Sequence, residues 1–219
     1  DYKANGFLPE ALVNYLMLLG WSPGNNQEKV PLMDAVSKFS IKKVNKSSAI
    51  FSMDKLKWLN SQYLKQMDTD ALTALLIPVI EKEGYLNQQN NRQDLRKIVH
   101  LYQGRLATLN DFLDWTRFIF VDDLKITSAL KESHLSQDHS KEFARLKSRY
   151  ETLEIFEAKN LEDIFRVIVS EAGIKSSDLI HPLRVALTGQ TVGPSLFETI
   201  AVLGKEKTTQ RLALVVRPF

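Results

Sequence analysis

The segment 181–212 constrains the fold most, because it contains two helical patterns separated by a short stretch of residues that break helices. This connector, 188–194, gathers Gly, Thr and Pro, and Ser195 then begins a new period of apolar residues. Ser195 and Glu198 have the S-x-x-E spacing of a capping box, in which the hydroxyl accepts a backbone N–H and the carboxylate reaches back to the cap. Gly204 is placed to end the second helix. The segment predicts a helix, an irregular connector and a second helix.

Similar start and stop signals recur along the chain and predict an all-α fold. Pro9 begins and Gly20 ends a first helix. Asp68 caps a later helix, in which Pro78 is expected to cause a kink or a break. Strand patterns are scarce, and 212–216 is the only candidate. No internal repeat of fixed period occurs, which argues against a helical solenoid.

Apolar periodicity also predicts which side chains form the core near the N-terminus. Pro31 begins a short helix in which Leu32, Val36 and Phe39 are expected to face inward. Trp58 lies on a later helix and is also expected in the core.

The composition suits a globular protein and excludes several classes. The chain has 219 residues, of which 44% are hydrophobic and 25% are charged, so it can bury a sizeable core. It contains no cysteine, which excludes disulfides and thiolate metal sites. No apolar run approaches the ~20 residues of a membrane-spanning helix, and no signal-peptide pattern begins the chain. The expectation is a monomeric cytoplasmic protein without a membrane partner.

A mildly basic charge and one cluster of lysines permit a polyanionic partner without requiring one. The net charge is +3. Lys42, Lys43 and Lys46 form a basic cluster on and after the exposed side of the short helix. Two interpretations of this cluster stay open, namely a solvated surface or a set of contacts to nucleic-acid phosphates.

Arg105 lies in a tight junction between two predicted helices. The first helix is terminated by Gly104, and Thr108 and Asp111 approximate a capping box for the second. Because such a connector is exposed and fixed at both ends, it can hold a side chain out at a defined angle. Arg105 is therefore either a positioned functional group or an ordinary surface arginine.

The sequence contains none of the short motifs that mark common catalytic sites. It has no H-E-x-x-H, no Walker loop, no G-x-S-x-G and no G-x-G-x-x-G. Its four histidines are scattered rather than spaced as metal ligands. Asp122 and Asp123 form a carboxylate pair without accompanying site residues. These observations favour a binding module.

The C-terminal part of the sequence resembles a known family. The block 182–189 reads PLRVALTG, the block 193–206 reads GPSLFETIAVLGKE, and 209–212 has the form T-x-R-L. These blocks, at this spacing, resemble the C-terminal anticodon-binding region of bacterial glutamyl-tRNA synthetases. The resemblance implies a helical region that binds the anticodon arm of a tRNA.

The N-terminal part resembles the same family. Residues 6–16 and 19–23 are similar to the segment that follows the KMSKS-type signature of these enzymes, and 46–51 and 55–60 resemble the next block. The family usually has proline where this chain has Ser48. Family members carry HIGH-like and KMSKS-like motifs on a catalytic domain that makes glutamyl-adenylate, and both motifs are absent from this sequence.

The resemblance implies a fragment with three helical parts. They are an elongated stem-contact segment at 1–67 and two small anticodon-binding subdomains at 68–124 and 125–219, although the composition suits a boundary anywhere within 122–137. Alone, such a fragment is expected to bind no cofactor and to catalyse no glutamate-dependent ATP–pyrophosphate exchange. In the intact enzyme, ATP and Mg²⁺ would serve the missing N-terminal catalytic domain.

Three arginines match family positions that approach the anticodon. Arg184 and Arg166 match residues near the anticodon bases. Arg105 matches a position that helps to read the last anticodon base and tends to be arginine in enzymes that reject the glutamine tRNA. Guanidinium groups suit these roles because they stack on unpaired bases and offer forked donors to base edges and phosphates.

The connector 191–196 matches the family's loop that lies against the same bases. Pro194 and Leu196 are its expected contact residues. Gly193 stands where a relative has a hydroxyl residue, so a base contact there is either lost or made by the backbone.

The resemblance implies an RNA-binding module that docks the anticodon arm of the tRNA for glutamate and places its acceptor end at a catalytic site elsewhere. A protein of a different class stays open, namely a helical protein-interaction scaffold whose exposed arginines are merely solvated. The scaffold predicts no tRNA affinity and no base preference, so a binding measurement separates the two hypotheses.

Overall fold

The computed structural model describes residues 2–24, 27–45, 49–85 and 92–216, with only the backbone of residues 92 and 93. Within these ranges the chain is all-α, which confirms the predicted class, and its β structure is limited to an isolated bridge between Trp21 and Val44. The helices are α1 (Pro9–Gly20), α2 (Leu32–Lys38), α3 (Met53–Gln66), α4 (Thr69–Lys82), α5 (Arg92–Tyr102), α6 (Asp111–Phe120), α7 (Ser128–His134), α8 (Ser140–Glu151), α9 (Ala158–Ala172), α10 (Ser176–Thr188), α11 (Leu196–Leu203) and α12 (Lys205–Val216), with 3₁₀ turns at Ile41–Lys43 and Gln103–Arg105.

The chain divides into two compact units, Asp1–Asp114 and Trp115–Phe219. The dividing line falls within α6. The three-part division at 67 and 124 that the resemblance implied stays a prediction.

Helices α1 and α3 pack together and form one core cluster of the first unit, in which α4 and α5 also pack against each other. Pro9 begins α1, where its missing N–H and fixed φ suit the first helical turn. Tyr15, Leu56 and Leu59 are buried at this contact with Phe7. These aromatic and aliphatic side chains are removed from water, which stabilises the pair of helices.

A buried asparagine on α1 holds the segment that leads into α2. The Asn14 side chain accepts the N–H of Val30 at 2.8 Å and donates to the carbonyl of Glu28 at 3.0 Å. The hydroxyl of Tyr63 also donates to the Asn14 carboxamide oxygen at 2.8 Å. The start of α2 is therefore fixed against α1 by side-chain bonds as well as by packing.

The predicted inward face of α2 is wrong. Leu32, Val36 and Phe39 are 58%, 64% and 56% exposed, and Ala35 is the residue of α2 that is buried. An apolar period shows that a helix has an apolar face, but it does not show which element covers that face. Trp58 is likewise 44% exposed rather than part of the core.

Three further predictions concern individual helices. Asp68 caps α4 as predicted, since its carboxylate accepts the N–H groups of Asp70 and Ala71 at 2.9 and 3.1 Å. Pro78 does not break α4, which runs unbroken to Lys82. The strand predicted at 212–216 is wrong, because these residues complete α12, a helix that packs along α8.

The second unit is built from the C-terminal part of α6 and from α7 to α12. Helix α12 packs along α8, while α9 packs against α8, α10 and α11. The core is formed by apolar residues at helical spacing, including Leu146, Tyr150, Phe165 and Leu183. This packing holds the connector between α10 and α11 at the surface.

Candidate nucleic-acid interface

The connector between α10 and α11 has the defined geometry that its helix-breaking residues predicted. Helix α10 ends at Gly189, whose φ of 67° lies in the left-handed region that favours glycine. The N–H of Gly189 donates to the carbonyl of Val185 at 2.9 Å. The hydroxyl of Thr188 accepts the N–H of Gln190 at 3.1 Å and donates to the carbonyl of Arg184 at 2.7 Å. The first turn of the connector is thus held by hydrogen bonds.

The predicted capping box at the start of α11 is wrong. Ser195 is the N-cap residue, but its side chain accepts no backbone N–H within the described structure. Its carbonyl instead accepts both the N–H and the hydroxyl of Thr199, at 3.0 and 2.8 Å. Because Ser195 and Glu198 are both exposed, water can satisfy the groups that the box would have paired.

Arg184 reaches across the connector. Its Nη2 donates to the carbonyl of Pro194 at 2.9 Å, and both residues are half-buried. Leu196, the other predicted contact residue of the connector, has its side chain in the core with 2% exposure, so any contact that it makes with RNA would come from its backbone. The roles of Pro194 and Leu196 in RNA binding stay predictions.

Arg166 is presented on the surface of α9. Its side chain is 70% exposed, and its Nε donates to the carboxylate of Glu162 one turn earlier at 3.0 Å. An exposed ion pair of this kind contributes little free energy in water, so it does not prevent the guanidinium from exchanging Glu162 for a phosphate. The neighbouring Phe165 packs edge-on against Phe197 of α11, with ring centroids 5.3 Å apart, which fixes the helix that carries Arg166.

Arg105 is exposed in the 3₁₀ turn that follows α5, and a buried glutamine fixes that turn. The carboxamide of Gln103 donates to the carbonyl of Leu64 at 2.8 Å and to that of Met67 at 2.7 Å. Both carbonyls belong to the end of α3, where a helix leaves acceptors unsatisfied. Gln103 therefore attaches the turn to the end of α3. The sequence alone does not indicate this role, because the two acceptors are distant in the chain.

The far end of the same junction is also held. The carboxylate of Asp111 accepts the N–H groups of Ala107 and Thr108, both at 2.8 Å, and the Thr108 hydroxyl donates to it at 2.8 Å. The buried Asn60 donates to the carbonyl of Ala107 at 2.6 Å. The prediction that Arg105 projects from a junction fixed at both ends is confirmed.

The lysine cluster is only partly described. Lys42 and Lys43 are exposed in the 3₁₀ turn at Ile41–Lys43. Lys46 lies outside the described residues. The structure places Lys42 and Lys43 in the first unit, and their contact with phosphates stays a prediction.

Arg211, the arginine of the T-x-R-L block, is buried and was not predicted as a key residue. It is 3% exposed, and its guanidinium donates to the carbonyls of Leu187 at 2.6 Å, Phe118 at 2.7 Å and Val121 at 2.8 Å. These acceptors lie at or just after the ends of α10 and α6, where carbonyls lack helical partners. Burial lowers the pKa of Arg211 to about 10, and the charge of Asp122 opposes that shift, so the group stays charged at neutral pH.

Lys207 supports the same helix end from one turn earlier on α12. Its ammonium donates to the carbonyl of Ile119 at 2.9 Å and pairs with the carboxylate of Asp122 at 3.0 Å. Two cations therefore cap the end of α6, in agreement with the preference of helix C-termini for positive charge. Asp122, which the sequence left without a role, supplies a nearby carboxylate.

Comparison with known protein families shows the family to which the chain belongs. Residues 71–216 match the family described as the anticodon binding domain. The chain belongs to the anticodon-binding domain family. Residues 1–58 match a second family, described as tRNA synthetases class I (E and Q), catalytic domain.

Individual relatives agree with the resemblance to glutamyl-tRNA synthetases. Glutamate–tRNA ligase 1 of Caldanaerobacter subterraneus subsp. tengcongensis is 35% identical over 222 residues, which cover 99% of this chain and 45% of that protein. The glutamate–tRNA ligase of Desulforudis audaxviator is 37% identical, with 97% and 44% coverage. The chain spans less than half the length of these curated relatives.

A solved structure has the same fold. The crystal structure of a glutamate tRNA ligase from Elizabethkingia meningosepticum, in complex with its amino acid, superimposes with a TM-score of 0.90 at 27% sequence identity. The match covers 98% of this chain and 42% of that one.

Two further properties concern ions and membranes. Within the described ranges, no group of three or more histidine, aspartate or glutamate side chains is arranged to hold a metal ion. None of the helices that the structure describes has both the length and the apolar character that crossing a bilayer requires.

Proposed function

We propose that this chain is the tRNA-binding part of a glutamate–tRNA ligase and that it docks the anticodon arm of the tRNA for glutamate. The observation that carries the proposal is the match of 71–216 to the anticodon-binding domain family, in a chain whose full-length relatives are named glutamate–tRNA ligases. Arg184, Arg166 and Arg105 supply the RNA-contacting groups. Each lies on a helix or a turn fixed by packing or hydrogen bonds, which suits the recognition of unpaired bases.

The rest of the ligase would supply the chemistry. In the longer protein, ATP and Mg²⁺ would activate glutamate on the catalytic domain, and this chain would position the tRNA. Such an enzyme would act in the cytoplasm as a monomer. No catalytic residue is assigned to this chain, because its sequence contains neither of the adenylate-forming motifs.

An exposed apolar face in the first unit supports a docked catalytic domain. Along α2 and the following 3₁₀ turn, large apolar side chains are between 56% and 80% exposed: Leu32, Met33, Val36, Phe39 and Ile41. Leu32 also lines a cavity of about 390 Å³ beside α1. An exposed apolar surface of this kind marks an interaction site in a soluble protein.

We assign this α2 face to the remainder of the catalytic domain in the longer protein. The face lies within 1–58, the stretch that matches the catalytic-domain family rather than the anticodon-binding family. The relatives are more than twice as long as this chain, since it covers 45% of one and 44% of another. The missing part is therefore large enough to cover the α2 face.

The first prediction tests RNA binding directly. The chain is expected to bind the tRNA for glutamate with an affinity that falls as salt rises, because each neutralised phosphate releases counterions. Arg184→Ala is expected to weaken binding by about 10- to 100-fold, the cost of losing hydrogen bonds from a charged donor. Filter binding or fluorescence anisotropy across a salt series measures both effects.

Two matched variants complete that experiment. Arg149→Ala removes an exposed arginine of the second unit, and His134→Ala removes a side chain expected to be uninvolved. Both are expected to bind like the wild type. An affinity that does not depend on salt, or no binding at low salt, would favour the protein-interaction scaffold.

The second prediction tests the α2 face by thiol labelling. The chain contains no cysteine, so a single introduced cysteine reports one position. Val36→Cys in the α2 face and Leu75→Cys in α4 start from 64% and 42% exposed side chains. In the longer ligase, the Val36→Cys site is expected to react at least roughly tenfold more slowly with a maleimide than in this chain, because reaction requires the interface to open.

The Leu75→Cys site provides the control. It lies in the stretch that matches the anticodon-binding family, so its labelling rate is expected to be similar in this chain and in the longer ligase. Peptide mapping by mass spectrometry separates the introduced site from any cysteine elsewhere in the ligase. Equal labelling rates of the Val36→Cys site in both proteins would show that the catalytic domain does not cover the α2 face.

A further inference from the structure

Gly193 occupies a position in the α10–α11 connector that the backbone alone does not require to be glycine. Its φ lies outside the left-handed region, unlike that of Gly189 in the same connector. An L residue could therefore adopt the backbone conformation of Gly193 without strain. The effect of a side chain at this position is therefore decided by the space around it rather than by backbone freedom.

The space beside Gly193 is filled by Arg184. A Cβ added at Gly193 would lie 2.7 Å from Nη1 of Arg184 and 3.8 Å from its Cζ. The first distance is far shorter than a normal van der Waals contact, so the two groups cannot both occupy these positions. From the neighbouring residue, the carbonyl of Pro194 accepts Nη2 at 2.9 Å. The guanidinium thus lies directly on the backbone of 193–194.

We infer that Gly193 is a positioning residue, which allows Arg184 to be held on the connector in the orientation that meets the anticodon loop. This inference rests on the proposed function for its RNA partner, but the positioning itself concerns the free protein. A guanidinium fixed before binding loses less conformational entropy when RNA arrives, which improves affinity. A side chain at 193 would displace the guanidinium and release Pro194.

The group that an added Cβ would displace is the guanidinium at the end of the flexible Arg184 side chain. A substitution at 193 is therefore expected to move this side chain rather than the backbone. Gly193→Ala can be accommodated by rotation of Arg184 without movement of backbone or core. The fold should therefore keep its stability while the presentation of Arg184 changes. A loss of RNA affinity without a loss of stability distinguishes positioning from a structural role.

The binding test uses an RNA hairpin with the sequence of the anticodon arm of glutamate tRNA. Gly193→Ala is expected to weaken binding about tenfold with an unchanged melting temperature. Gly20→Ala is the matched control, because Gly20 also has φ outside the left-handed region and nothing lies within 4 Å of its added Cβ. In an Arg184→Ala background, Gly193→Ala is expected to cause no further loss of RNA affinity. The reason is that Gly193 acts only through the position of Arg184.

A second readout needs no RNA. In the ¹⁵N-labelled free protein, the Arg184 side-chain Nε–H resonance, assigned by its disappearance in Arg184→Ala, is expected to shift in Gly193→Ala but not in Gly20→Ala. An unchanged resonance would overturn the inference, as would an equal loss of affinity with and without Arg184. If the wild type fails to bind the hairpin while the resonance shifts as expected, the proposed function fails and the positioning by Gly193 stands.

Discussion

Replacing Arg211 with methionine is expected to destabilise the unit Trp115–Phe219 by on the order of 3–5 kcal/mol. The guanidinium donates to the carbonyls of Leu187, Phe118 and Val121, and methionine supplies no donor for any of them. Val121 keeps a second donor in Lys207 at 3.4 Å, whereas the bonds to Leu187 and Phe118 are lost from the ends of two helices. A whole domain is stabilised by about 5–15 kcal/mol, so this loss is a large share.

The effect is measured by urea unfolding together with amide hydrogen exchange. Peptides from α10 and α12 are expected to lose protection in Arg211→Met, while peptides from α3 in the first unit serve as an internal reference. Arg149→Met makes the same substitution at an exposed arginine of α8 and is expected to change stability by less than about 0.5 kcal/mol. A loss at Arg211 no larger than at Arg149 would show that the buried guanidinium is dispensable.

The burial of Arg211 illustrates which information a sequence pattern lacks. Its acceptor carbonyls lie 24, 93 and 90 residues away in the chain, so helical spacing around Arg211 shows nothing of them. An arginine beside Leu212 in an otherwise polar stretch is typical of a surface position. Only the way in which α12 lies against the ends of α6 and α10 reveals a buried cation.

Several local signals were predictive because their partners are also local, although the local capping box of Ser195 and Glu198 did not form. The cap at Asp68, the start of α1 at Pro9 and the junction held by Asp111 depend on groups within a few residues, and each is confirmed. The apolar face of α2 depends on what covers it, and periodicity does not contain that information. Residues 212–216 continue a helix that packs on α8, so tertiary packing overrode their strand-like composition.

The same distinction applies to the candidate site. The resemblance identified Arg184, Arg166 and Arg105 as residues of interest, but it did not contain their geometry. Arg184 is bonded to the connector, whereas Arg166 is paired with an exposed glutamate on its own helix. The space at Gly193 becomes meaningful only when the position of the Arg184 guanidinium is known.

Arg105→Gln is expected to narrow the preference for glutamate tRNA over glutamine tRNA by on the order of 1–3 kcal/mol, by analogy with bidentate readout in DNA. The family resemblance implies that Arg105 helps to read the third anticodon base, which is C in the glutamate tRNA and G in the glutamine tRNA. Arginine donates hydrogen bonds but cannot accept them. The pairing edge of cytosine offers an oxygen and a nitrogen as acceptors, whereas guanine presents N–H donors over much of its pairing edge. Glutamine both donates and accepts, so it can match either base.

The structure adds a reason why one residue could have so large an effect. Arg105 lies in a turn that Gln103 ties to α3 and that Asp111 closes on its other side. The turn fixes the backbone from which the Arg105 side chain extends, and a base that offers no acceptor within its reach leaves the hydrogen bonds of the guanidinium unmade. Recognition of C is therefore expected to come with rejection of G.

The measurement is competition binding between glutamate tRNA and a variant RNA that differs only at the third anticodon base. Arg105→Lys keeps the charge but loses the fork, so it is expected to keep most of the affinity and to lose much of the preference. Arg149→Gln controls for the loss of an exposed positive charge and is expected to keep the wild-type preference. Equal binding of both RNAs by the wild type would make Arg105 an ordinary surface arginine. Full preference in Arg105→Gln would instead assign the discrimination between C and G to a different residue.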